Sequence, residues 1–214
     1  GRFTRELEMI RDAETAADLD FVYGEIPQAT AQSIDGVKRV SSMVSAIRNF
    51  SHVDVKRFAP GDINRTLHNI VNILRNKLKH IADVNWDLTD DLPFIICCID
   101  DMQQVFLNLI INAADTIEQA ISNGAGRGTI TIKSRLVRDE VVITITDTGM
   151  GMDSHIKEKI FEPFFTTKNR GEGTGQGLSI VHSIVVEKHG GKIECESEPG
   201  RGTTFKLTLP LDRN

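Results

Sequence analysis

The chain is expected to fold as an α/β two-layer sandwich, a mixed sheet backed by helices, preceded by a long helix from a helical hairpin. Three observations predict this. Short β-branched runs with alternating polarity, such as residues 129–136 and 141–147, read as half-buried strands. Runs with apolar residues at three- and four-residue steps stand before and between them and read as helices. Two glycine clusters, at 149–151 and 171–177, flank an aromatic segment ending in Lys168, and the second runs straight into the apolar helical stretch 178–186.

Taken in order, residues 1–17 are charged and helix-prone. From Asp18 onward, Ile26, Ile34 or Ser33, Val37, Val40, Val44 and Ile47 mark the stripe of a long amphipathic helix, which Pro27 either kinks or opens as a first-turn residue. Such a seam reads as one arm of a hairpin that pairs in a dimer, against the alternative of a helix packed on its own domain. Residues 51–56 read as a linker, dividing the chain into 1–54, a partial dimerisation region, and 55–214. Residues 58–60 read as a short strand, and Asp62 caps a helix running to about His80 with Leu67, Ile70, Val71 and Leu74 inward. Residues 83–88 and 94–98 read as strands, the latter buried. Asp100 or Asp101 then opens a long helix that ends near Asn123 and Gly124. Residues 129–136 with 141–147, and 192–197 with 204–209, read as two hairpins.

At 214 residues the chain has room for one domain of about 150 residues and an appendage. Its 40% apolar and 26% charged content excludes a disordered or fibrous class, and the net charge of −5 argues against nucleic acid as a partner. Cys97, Cys98 and Cys195 form no Cys-x-x-Cys pair, so they read as reduced core residues of a cytoplasmic protein rather than a zinc site or disulfide framework. No apolar run approaches the ~20 residues that span a bilayer, so no membrane segment is expected in this sequence.

Glycine permits close approach of backbone to ligand, and a helix start offers unpaired N–H groups, so the second cluster suits an anion such as a polyphosphate. The spacing is not that of the P-loop or of the dinucleotide fingerprint, which implies a third nucleotide-binding architecture. Asn108 and Asn112, four apart on an otherwise apolar helix, project into one space and would be costly to bury unpaired. Asp147, at the end of a strand, can aim its carboxylate into a cleft.

Together, Asp147-Thr148-Gly149-Met150-Gly151, Phe161-Glu162-Pro163-Phe164-Phe165-Thr166-Thr167-Lys168, and Gly171 to Gly177 resemble the G1, F and G2 boxes of bacterial sensor histidine kinases. These kinases belong to the superfamily of gyrase, heat-shock chaperone, histidine kinase and mismatch-repair ATPases, with its Bergerat-type fold. The stretch 103–114 resembles the family's N box and 200–205 its last glycine motif, while Asp18 to Phe21, Glu25 to Ala29 and Arg48 to Ser51 resemble a second dimerisation helix.

The resemblance implies ATP and Mg²⁺ as ligands. It assigns Asn112 to the metal and Asn108 to the phosphate region, with Asn108 and Lys168 as catalytic residues. Asp147 would accept from the adenine amine, with Gly149 and Gly151 letting the base approach. Thr167, Gly173, Thr174, Gly175, Gln176, Gly177, Leu178 and Thr203 complete the nucleotide-binding set. Residues 152–170 would form a lid anchored by the packing of Phe161, Phe164 and Phe165. None of His52, His68, His80, His155, His182 and His189 has the His-Glu setting of a phosphoacceptor, so all read as structural or solvated and the acceptor is expected upstream. The implied partners are a response-regulator receiver domain and, in the intact protein, a second copy of the chain. An ATP-driven conformational switch of the chaperone, gyrase or mismatch-repair type is the alternative; a degenerate domain that only binds partners is disfavoured by intact nucleotide motifs.

Overall fold

A computed structural model describes Phe3, Arg5, Glu6, Met9, Tyr23 and residues 25–34, 36–37, 57–168 and 173–212. The chain forms two compact units, Gly1–His52 and Val53–Asn214. In the first, the described residues are helical. Tyr23 and Glu25 are already helical ahead of Pro27, so the proline does not open the helix. Thr30 and Ser33 turn their hydroxyls back to donate to the carbonyls of Ile26 and Ala29, at 2.7 and 2.8 Å. Ile26, Ile34 and Val37 are exposed within this unit. The stripe residues Val40, Val44 and Ile47, the expected linker 51–56 and the motif 18–21 lie outside the described residues.

The second unit is built on a five-stranded mixed sheet in the order β2-β4-β5-β7-β6, formed by β2 (Ala82–Leu88), β4 (Gly128–Val137), β5 (Glu140–Asp147), β6 (Lys192–Glu198) and β7 (Gly202–Pro210). β2 and β4 run parallel, joined by a crossover that contains a helix, and the other pairings are antiparallel. A separate antiparallel pair joins β1 (Ala59–Gly61) to β3 (Ile95–Cys97).

The helices are α1 (Ile63–Ile73), α2 (Arg75–Leu78), α3 (Ile99–Ser122), α4 (Ser154–Lys159) and α5 (Gly177–His182); α5 continues as a π-helical run, Ser183–Lys188. Alternation in β4 and β5 buries Ile130, Ile132, Val141, Ile143 and Ile145 on one face. Met102, Phe106, Leu109 and Ile110 of α3 are buried in the same core, with Val181 and Val185 from the last helical run. Full burial of each such side chain contributes about 1.5–3 kcal/mol, so α3 is fixed against the sheet along most of its length.

Several expected boundaries move. Asp62 does cap α1, accepting from the Arg65 N–H at 2.9 Å, but the helix stops at Ile73 rather than near His80. Leu74, at φ −84° and ψ 0°, breaks it, α2 restarts, and the chain leaves helix in time to enter β2 at Ala82. Cys98, not an aspartate, precedes α3; Asp100 and Asp101 fall in its first turn, where negative charge suits the helix dipole. The buried strand expected over 94–98 shrinks to β3, because β1 offers only three partners, and Phe94 is left 62% exposed.

Candidate functional site

α3 carries four of its polar residues on one face. Asn108, Asn112, Asp115 and Thr116 follow at intervals of four, three and one, spanning about 12 Å along the helix. The elements around this face meet it at both ends.

At the Thr116 end stands Asp147, the last residue of β5, opposite Ile130 of β4 and Thr203 of β7. It is 4% exposed. Its Oδ1 accepts from the Gly149 N–H at 2.8 Å, the Thr203 N–H at 3.3 Å and the Thr116 hydroxyl at 3.4 Å. Oδ2 takes none of these bonds. Burial pushes the carboxyl up to about 6, and the three donors only partly offset it.

The neighbouring glycines are demanded by the chain itself. A Cβ on Gly149 would fall 2.3 Å from the Thr116 hydroxyl, and one on Gly151 would fall 1.9 Å from the Glu198 carbonyl oxygen. Gly202, at φ +93°, lies so close to Asp147 that a Cβ would meet its carbonyl oxygen at 2.0 Å. The G1 turn, α3 and the β6–β7 turn are therefore locked together, which holds Thr203 against Asp147.

At the other end, Gly177 opens α5 beside Asn108, with a Cβ position only 3.6 Å from the Asn108 Oδ1. The Asn108 Nδ2 is buried with no hydrogen-bond partner among the described residues. A buried amide donor without a partner is costly, so Asn108 marks this end of the α3 face as a place where a polar group is wanted. Asn112 lies between the two ends, half-buried.

Gln176 is buried and its carbonyl accepts from the Ser179 hydroxyl at 2.9 Å; Thr174 is exposed and offers its oxygen to the Gln176 N–H at 3.4 Å. Gly175 takes φ +64° with the backbone of Phe164 where a Cβ would be. Phe164 itself has φ +67° and is 58% exposed, which corrects the expectation that all three phenylalanines anchor the lid. Phe161, whose ring lies tilted against His182 with centroids 5.5 Å apart, and Phe165 do pack on the core. Phe164 turns outward because its backbone is pressed against Gly175. Thr167 is exposed, Leu178 packs on the core, and residues 169–172 lie outside the described residues.

Lys168 is not free. Its ammonium pairs with Asp115, whose other oxygen pairs with Lys77 of α2. Burial raises the Asp115 carboxyl, but the bonds from Lys168 and Lys77 outweigh it and hold it below the usual carboxylate range. Asp115, Lys77 and Thr116 were not singled out from the sequence; extending the Asn108–Asn112 face by one turn would have reached Asp115 and Thr116. His189 is structural: it is buried, accepts from the Cys98 N–H through Nε2 at 3.1 Å, and lies 2.8 Å through Nδ1 from the Ile184 carbonyl.

Residues 98–213 match the family model described as histidine kinase-, DNA gyrase B-, and HSP90-like ATPase. Sporulation kinase E of Bacillus subtilis is 33% identical over 180 residues, covering 83% of this chain and 23% of its own length. Sensor histidine kinase ZraS of Escherichia coli K12 is also 33% identical, over 189 residues, covering 88% of this chain and 38% of its own. The chain thus spans well under half of these curated relatives. Among solved structures, the catalytic domain of histidine kinase ThkA is 27% identical with a TM-score of 0.63, covering 73% of this chain and 97% of that one. ThkA in complex with the response regulator protein TrrA gives 26% identity and a TM-score of 0.66, over 83% of this chain and 49% of that one.

Proposed function

The chain belongs to the family of histidine kinase-, DNA gyrase B- and HSP90-like ATPases, and from that premise we propose that it is the ATP-binding catalytic part of a sensor histidine kinase. The observation that carries the reading is the polar face of α3, with the buried Asp147 carboxylate at one end and, at the other, Asn108 beside Gly177 with its amide donor unpaired.

In this reading Asp147 Oδ2 accepts from the adenine amine while Gly149, Thr116 and Thr203 hold Oδ1 and so orient the carboxylate. Asn108, beside Gly177, stands at the phosphate region. The backbone around Gly173, Thr174, Gly175, Gln176, Gly177 and Leu178, with Thr167 and Lys168, surrounds the phosphates. Asn112 would be the residue that holds Mg²⁺, through its amide oxygen. When bound, the ion would neutralise phosphate charge. What these residues contribute is position and charge complementarity, which is most of what phosphoryl transfer asks of a protein.

The γ-phosphoryl group would pass to a histidine upstream of residue 1, and then to an aspartate on a response-regulator receiver domain. The ThkA complex with TrrA supports a partner of that kind. The intact protein would act as a homodimer through the helical unit, whose described apolar residues Ile26, Ile34 and Val37 are exposed. A cytoplasmic location fits a domain that uses ATP; among the described residues no helix is long and apolar enough to cross a membrane.

The test is to extend the protein upstream, incubate it with γ-labelled ATP, and treat the product with acid and base. Acid-labile, base-stable label on the protein is expected. Release of inorganic phosphate with no protein label would instead favour an ATP-driven switch of the chaperone or gyrase type.

A further inference from the structure

The Lys77–Asp115–Lys168 cluster joins three separate parts of the second unit: α2, the polar face of α3, and the end of the aromatic segment. It is not a solvated surface pair. Asp115 is 19% exposed and Lys168 23%, while Lys77, at 40%, lies nearer water. Asp115 stands three residues beyond Asn112 and one before Thr116, so it occupies the face that carries the proposed nucleotide ligands. Two ammonium groups share one carboxylate, leaving the cluster with a net positive charge of one even when fully paired.

Resting on the ATP-binding reading, we propose that Asp115 is an internal stand-in for phosphate: it occupies the Lys168 ammonium in the ligand-free protein and yields it to the terminal phosphate of a nucleoside triphosphate. The second lysine is what makes the exchange inexpensive. Removing one partner of a buried ion pair ordinarily strands a charge. Here Lys77 stays on Asp115 when Lys168 leaves, so the carboxylate remains neutralised and hydrogen-bonded throughout. Lys168 exchanges one anionic oxygen for another, and no desolvated charge stands alone at any stage. Asp115 therefore acts through Lys168 and sets how strongly the site favours a triphosphate.

The test is a double-mutant cycle on the 214-residue chain, with a non-hydrolysable ATP analogue and ADP titrated calorimetrically in the presence of Mg²⁺. Lys168→Ala should weaken the triphosphate more than ADP. Asp115→Asn removes the competing charge at nearly constant volume, and should tighten the triphosphate by ~2- to 5-fold, the range of a partly exposed ion pair. In the Lys168→Ala background the same substitution should change nothing, and Asp115→Glu should keep the wild-type affinity.

An equal gain in both backgrounds would mean simple repulsion of phosphate by Asp115 and would overturn the proposal. So would weaker binding in Asp115→Asn, which would mean that the pair holds Lys168 in its productive position. If the unaltered chain binds neither nucleotide, the ATP-binding reading itself fails, a result distinct from a bound nucleotide with no coupling.

Discussion

Replacing Asp147 by Asn should weaken nucleotide binding and at the same time stabilise the ligand-free domain. The side chain is 4% exposed, and burial lifts its pKa from 3.8 to about 6, so holding it ionised at neutral pH costs about 3 kcal/mol of folding stability. Asparagine keeps the size and an oxygen that can accept from Gly149, Thr116 and Thr203, but carries no charge to desolvate. With up to about 3 kcal/mol relieved, and about 2–4 °C per kcal/mol for a domain of this size, Tm should rise by several degrees.

The sign follows from the raised pKa. Stability from the protonated group is fully present below pH ~4 and is lost as pH rises through about 6. The Tm advantage of Asp147→Asn should therefore be absent near pH 4 and grow toward pH 7. Affinity for ADP should move the other way, falling by about 10- to 150-fold, since a hydrogen bond to a charged acceptor is worth about 1.5–3 kcal/mol. Scanning calorimetry across pH and titration calorimetry at pH 7.5 measure the two effects. A variant that is less stable at pH 7 and binds ADP as tightly as before would refute both the burial argument and the role of the carboxylate.

Three further outcomes are expected. ADP affinity of the unaltered chain should fall as pH drops below about 6, with proton release on binding at pH 6, because the ligand favours the ionised Asp147; heats measured in buffers of different ionisation enthalpy check this. Asn112→Ala should weaken ATP binding far more in Mg²⁺ than in EDTA, whereas equal losses in both would indicate a damaged α3. Gly202→Ala should destabilise the domain by about 1–3 kcal/mol from backbone strain alone, with more from the contact with the Asp147 carbonyl, as read by urea denaturation.

The strands were legible because β4, β5 and β7 each have one face in the core, so alternation in sequence mirrors burial. Asp62 was legible as a cap, and Asp147 as a strand-end carboxylate, because each signal is local. What escaped the sequence depends on distance. Lys77 and Lys168 lie 38 and 53 residues from Asp115, and no local pattern brings the three together. The packing role of Gly149 and Gly151 was hidden for the same reason, since the atoms that need their space belong to Thr116 and Glu198. Phe164 was misjudged on composition: its outward turn follows from contact with Gly175, which lies beyond residues 169–172. The π-helical run after His182 likewise has no signature in the apolar pattern, which reads equally well as α-helix.

The central claim is that one nucleotide lies along α3 from Asp147 to Gly177. It is tested most directly by a crystal structure of the chain with ADP and Mg²⁺. The account predicts the adenine amine on Asp147 Oδ2, the metal on Asn112, and the diphosphate between Asn108 and the backbone of Gly173 to Gly177. Nucleotide bound instead in the groove of about 470 Å³ lined by Arg57, Arg65, Phe94 and Gln103, with the α3 face unchanged, would contradict it.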